Sequence, residues 1–243
     1  MEEKRYKVVF FDLGGTLRIA LKNEAFFRHA RRKMAEIAGT DMPYEDFYQL
    51  VDERYKPYRK MATTEWREAG DEELWCKWLL PDYPDMDRLK KICHELTFQY
   101  RQSVGLRVLV DGGREVLWGL HERGYRLGII SNLIGENEVP DWIEEEGFSD
   151  LFETVVLSST SHLRKPGKEI YQLACRNMGV DPSECVSVAD NTKTDLPGAY
   201  AAGIGMNIIY DSPEKKHPVD EIIGDFRPDY IIRDFREVLD ILR

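Results

Sequence analysis

The chain has 243 residues, enough for one large domain or two unequal ones with a real buried core. Hydrophobic residues make up 42% and charged residues 32%, and the formal net charge of −10 gives no electrostatic reason to bind nucleic acid. The cysteines Cys76, Cys93, Cys175 and Cys185 form no CxxC pair, which suits reduced thiols of a cytoplasmic protein. The apolar run near the N-terminus is strand-length, far short of a signal peptide or membrane span.

In chain order, "VVFFDLGGTLR" (8–18) reads as a buried strand that ends at Asp12, followed by a turn at Gly14-Gly15. Residues 21–103 break the rhythm with charged and aromatic residues at helical spacing and no convincing strand. Pro and Gly punctuation near 39–43, 57, 70 and 81–84 predicts four or five helices, an all-helical unit inserted after the first strand. Tyr55, Tyr58, Trp66, Trp75 and Trp78 are expected in its core. Next come a helix over 112–124, which places Val116, Leu117 and Leu120 on one face and stops at Gly124, and the strand-like "YRLGIISN" (125–132). "FETVVLSS" (152–159), "ECVSVAD" (184–190) and "GMNIIYD" (205–211) are further strands. A helix over 166–179 and a shorter one over 195–203, with Asp195 as N-cap, separate them. The fold class is therefore α/β, a three-layer parallel sheet built from 1–20 and 104–243, with an inserted helical domain over 21–103.

Ligands of open parallel sheets bind outside the carboxyl ends of the strands. There the sequence places Asp12, Ser131-Asn132, Ser158-Ser159 and Asp190, with Lys165 and Asp195 a few residues beyond. Taken singly, each of these is more simply a strand-end cap or a surface charge. Together, the carboxylates need a compensating cation, and oxygen-only ligands favour a hard ion such as Mg²⁺. A lysine and a hydroxyl opposite that ion make a site for a phosphoryl group, with one carboxylate as nucleophile.

At this point the sequence resembles the haloacid dehalogenase superfamily of hydrolases. "VVFFDLGGTL" is similar to the family's first motif, which implies Asp12 as nucleophile. "IISN" is similar to the second, implying that Ser131 and the Asn132 amide hold the phosphoryl group. "RKPGKEIY" is similar to the third, with Lys165 neutralising charge on nucleophile and phosphate. "VSVADNTKTDLPGAYAAGI" is similar to the fourth, with Asp190 and Asp195 in the metal-binding pattern. The resemblance implies a Rossmann-like core with a type 1 helical cap, Mg²⁺ held by Asp12, the Gly14 carbonyl, Asp190 and Asp195, and a small phosphorylated substrate. Asp195 is expected to stand behind the direct ligands, or to reach the ion at most through a water. No nucleic-acid or membrane partner is expected.

Two positions depart from that pattern. The fourth motif begins Ala189-Asp190 where Gly-Asp is usual. Position 14 is glycine where family phosphatases carry a second aspartate, the general acid and base. His162 and His29 are candidate substitutes, each more simply a surface or packing histidine. Loss of the aspartate predicts a preference for leaving groups that need no proton. The alternatives are an attenuated protein that binds a phosphorylated ligand, and a dehalogenase-type hydrolase. A response-regulator receiver also orders Asp, Ser/Thr and Lys along a parallel sheet, but it is about half this length.

Overall fold

The computed structural model describes residues 5–213 and 226–243. Strand β1 (Val8–Phe11) leads through a tight loop into β2 (Arg18–Leu21). Helices α1 (Glu24–Ala38), α2 (Tyr44–Glu65), α3 (Asp71–Glu73), which continues as a π-helical stretch over Leu74–Leu79, and α4 (Met86–Gln102) follow. β3 (Leu106–Leu109) returns antiparallel to β2, with Arg18 opposite Leu109. Then come α5 (Gly113–Glu122), β4 (Arg126–Ser131), α6 (Glu138–Glu145), β5 (Phe152–Leu157), α7 (Ser158–Ser161) and α8 (Lys168–Met178). The described chain closes with β6 (Cys185–Ala189), α9 (Asp195–Ala202), β7 (Met206–Tyr210), β8 (Tyr230–Ile232) and α10 (Glu237–Ile241).

Six strands form one parallel sheet in the order β5-β4-β1-β6-β7-β8. Because successive side chains of a strand point to opposite faces, β1 serves two cores. Val9 and Phe11 pack with Val116, Leu117 and Leu120 of α5, Trp142 of α6 and Val238 of α10. Val8 and Phe10 pack on the other side with Ile170, Tyr171 and Ala174 of α8 and Ala199 of α9. Both faces are thus buried, which is why the strands read as unbroken apolar runs. β1 lies between β4 and β6, with Phe11 in register with Ile129 and Val188, so the ends of these three strands lie side by side.

Helices α1–α4 enclose a separate core that includes Met34, Phe47, Tyr58, Trp75, Leu89 and Leu96. Tyr55 and Trp78 pack partly buried against it. Trp66 does not belong there; it is 52% exposed. It caps α2 in a left-handed conformation (φ 50°), which turns it off the helix's buried face. Pro57 does not end a helix either. α2 runs through it, because burial of Val51, Tyr58 and Ala62 outweighs the one backbone bond that proline removes. Asp195 is the first residue of α9, not its cap; Thr194 holds the cap position. Strands β2, β3 and β8, of 4, 4 and 3 residues, are too short to announce themselves by periodicity. Among the described residues, no helix is long and apolar enough to cross a membrane.

Candidate active site

The loop after β1 is held by its own backbone. Asp12 N–H still donates to Val188 O (2.9 Å), Arg18 N–H donates to Leu13 O (2.7 Å) and Gly15 N–H to Arg18 O (2.8 Å). Gly15 has a φ of +85°, and a Cβ there would stand 2.4 Å from Asp190 Oδ2. Glycine at 15 therefore lets the carboxylate at the end of β6 approach the loop. Gly14 is different: a Cβ built there meets nothing within 4 Å, and its φ is not left-handed.

Lys165 organises the interior of the site. It is 3% exposed, and its Nζ lies 2.6 Å from Asp12 Oδ1, donates to Ile130 O at 3.0 Å and forms an ion pair with Asp195 Oδ1. Burial opposes the ammonium charge, but Asp12 and Asp195 outweigh it and hold the lysine protonated, above its ordinary range. Asp195, also buried, is pushed above the usual carboxylate range by burial and by Asp12, with Lys165 partly offsetting both. The Asn132 side chain clamps the lysine's own backbone, donating to Lys165 O and accepting from Lys165 N–H, both at 2.9 Å. Ser131 Oγ and Thr16 Oγ1 donate to the two oxygens of Asp12 from 3.4 Å.

Asp12, Gly14, Asn132, Lys165, Asp190 and Asp195 thus line one cavity of about 130 Å³, joined by Asn191 and Thr194. Ser131 reaches it through its bond to Asp12. His29 and His162 are not among its walls; His162 Nδ1 is bonded to Glu68 O (3.0 Å). Thr16, Asn191 and Thr194 carried no sequence signal of their own, although all three lie within the first and fourth motifs. Nor did the sequence indicate the buried partnership beside Lys165, where Arg164 pairs with Glu68 and Glu68 Oε2 accepts from Ser158 Oγ at 3.0 Å.

Three carboxylates face one ammonium in this cavity, and Lys165 is shared between Asp12 and Asp195. That surplus of hard oxygen and negative charge fits a hard divalent cation. A second group with metal-like spacing, Asp71, His94 and Glu136, lies elsewhere. Its atoms already bond one another, His94 Nδ1 to Asp71 Oδ2 at 2.7 Å and Asp71 N–H to Glu136 Oε1 at 2.8 Å, and they hold α3 against the loop after β4.

Comparison with known proteins fits this geometry. A family model described as haloacid dehalogenase-like hydrolase matches residues 6–203. A glyceraldehyde 3-phosphate phosphatase of Pyrococcus furiosus is 27% identical, over 98% of this chain and 94% of the relative. The corresponding protein of Pyrococcus abyssi is 31% identical over 84% of this chain and 80% of its own. Among solved structures, a 2-haloacid dehalogenase from Pseudomonas syringae superposes with a TM-score of 0.69 at 21% identity, covering 98% of each chain. At that identity the likeness concerns the fold.

Proposed function

The chain belongs to the haloacid dehalogenase-like hydrolases, and from that premise we propose that it is a Mg²⁺-dependent phosphatase or phosphotransferase acting through an aspartyl phosphate at Asp12. The observation that carries this reading is the placement of Lys165 Nζ between Asp12 and Asp195, with Asp190 and Gly14 lining the same cavity. Asp12, Asp190 and the Gly14 carbonyl are the residues to hold the ion, and Asp195 supports from behind the lysine. When bound, Mg²⁺ supplies charge neutralisation and orients phosphoryl oxygens.

In this mechanism an Asp12 oxygen attacks phosphorus and the bond to the leaving oxygen breaks, the electron pair departing with it. Lys165 and the Ser131 hydroxyl stabilise the charge on the transferring group. Water then attacks the aspartyl phosphate, releasing phosphate and restoring the Asp12 carboxylate. Neither proton transfer has a dedicated side chain, since Gly14 offers none and no histidine is among the residues lining the cavity. Turnover therefore favours leaving groups that depart as stable anions, such as acyl phosphates, anhydrides and aryl phosphates, over alkoxides. The names of the relatives support a small phosphorylated metabolite as substrate class, and residues 21–103 serve as the cap that selects it. The test is hydrolysis of p-nitrophenyl phosphate with Mg²⁺ by the wild type and by Asp12→Asn. Equal rates in the two proteins would refute the nucleophile.

A further inference from the structure

A cavity of about 400 Å³ opens between α1, α4, the β2–β3 pair and α6, on residues that the proposed catalysis leaves unused. Arg18, 4% exposed, and Arg107 line it. Both share a single buried carboxylate with Arg101: Arg18 Nη1 lies 3.0 Å and Arg107 Nε 3.9 Å from Glu138 Oε1, and Arg101 Nε is bonded to Oε2. Three cations around one anion leave a positive excess in a poorly solvated place. Burial and repulsion from Arg101 lower Arg107 to about 9, which reports the same excess.

Arg18 Nε is buried and has no hydrogen-bond partner. Leaving such a donor unpaired is costly, so a ligand that accepts from it gains what the fold has not satisfied. Asp141 and Glu145 also line the cavity, but both are solvent-exposed, and water screens their charge. The lining is also aromatic, with Phe26, Phe98 and Trp142, and Arg18 Cζ lies 5.1 Å from the centre of the Trp142 ring.

We propose that this cavity binds a small organic anion, its phosphate-like head against Arg18 and Arg107 and its apolar body against Phe98 and Trp142. Two guanidinium groups suit a dianion, and the volume exceeds what a bare oxyanion needs. Such a ligand touches α1 and α4 on one side and α6 on the other. Arg18 is also bonded through its backbone to Leu13 and Gly15, in the loop that carries Asp12. Occupancy therefore ties the helical unit to the sheet and stiffens the nucleophile's loop.

Calorimetric titration of the full chain in EDTA, with phenylphosphonate and with inorganic phosphate, tests the proposal. Phenylphosphonate, whose P–C bond is not hydrolysed, should bind more tightly than inorganic phosphate. Arg107→Gln, which keeps a polar side chain but no charge, should weaken it at least about tenfold. Gln99→Glu, on the cavity wall, supplies the missing counter-charge without removing any ion pair, so it should fold normally and weaken binding at least as much. Absence of binding in the wild type up to about 10 mM would overturn the proposal. So would unchanged binding in folded Gln99→Glu, which would place the ligand elsewhere, the Asp12 cavity included.

Discussion

Gly14→Asp adds the carboxyl group that catalysis at this site lacks, and the structure sets its cost. A Cβ at 14 meets nothing within 4 Å and the backbone is not left-handed, so no strain accompanies the side chain. Loss of glycine's freedom in the unfolded chain favours folding by about 0.4–1 kcal/mol. Against this stands one more negative charge among Asp12, Asp190 and Asp195, worth about 1 kcal/mol per like-charged neighbour at 4 Å in a water-like medium. Stability should therefore fall by no more than about 2–3 kcal/mol. The same repulsion raises the new carboxyl group's pKa, which suits it to donate a proton.

General acid–base catalysis contributes about 10²–10⁴-fold, and a group added without tuned surroundings should realise the lower end, about 10²-fold or 2.7 kcal/mol of barrier. The gain should be selective. An alkyl phosphate, whose alkoxide needs the proton, should improve by up to that factor, and p-nitrophenyl phosphate should scarcely change. Initial rates on both esters with saturating Mg²⁺ measure the ratio. Gly15→Asp is the internal contrast, because its Cβ would collide with Asp190 at 2.4 Å in a left-handed backbone, and it should lose both stability and activity. A folded, Mg²⁺-binding Gly14→Asp protein that gains on no ester would refute the reasoning and favour an attenuated, ligand-binding role.

Three further outcomes are expected. Lys165→Met leaves Asp12 and Asp195 buried without their counter-charge, and urea unfolding should show a loss of about 3–5 kcal/mol together with loss of turnover. Glu138 is buried, but Arg101, Arg18 and Arg107 outweigh that penalty and hold it down from an ordinary 4.5 to about 2. Its stabilisation, roughly 3 kcal/mol, is complete above the ordinary value and lost as pH falls towards 2; acid unfolding of Glu138→Gln should lack that part of the slope. EDTA should abolish p-nitrophenyl phosphate hydrolysis and added Mg²⁺ should restore it; undiminished activity in EDTA would favour dehalogenase-type chemistry instead.

What was legible in the sequence was whatever is encoded locally. The central strands are buried on both faces, so their apolar runs stand out, and each ends in the polar residue that the sheet delivers to the site. Asp12, Ser131 and Asp190 are legible for that reason, whereas Lys165, in a loop beyond β5, is legible only from the joint pattern and the family resemblance. Trp66 was misread because helical spacing assigns a face, and a left-handed cap removes the residue from it. Pro57 was misread because a local cost was weighed without the burial that offsets it. The Arg18, Arg101, Arg107 and Glu138 cluster was invisible because its members come from four separate elements and none forms a motif.

The contacts of greatest sequence separation bear most directly on the lysine. Glu68, between α2 and α3, binds Arg164, and Arg164 is the residue before Lys165. The Asn132 clamp grips the next peptide from the end of β4, and Ile130 O and the two carboxylates fix the ammonium group itself. Ser158, which donates to Glu68, follows directly from β5 and also bonds the backbone of Leu133. The seat of the helical unit and the position of the ammonium group are thus set within one short, fully bonded segment. Glu68, Lys165 and Asp12 are buried and Arg164 is half-buried, so these ion pairs are largely shielded from water. The helical insert is thus bonded, through Glu68, to the residue next to the lysine that pairs with Asp12.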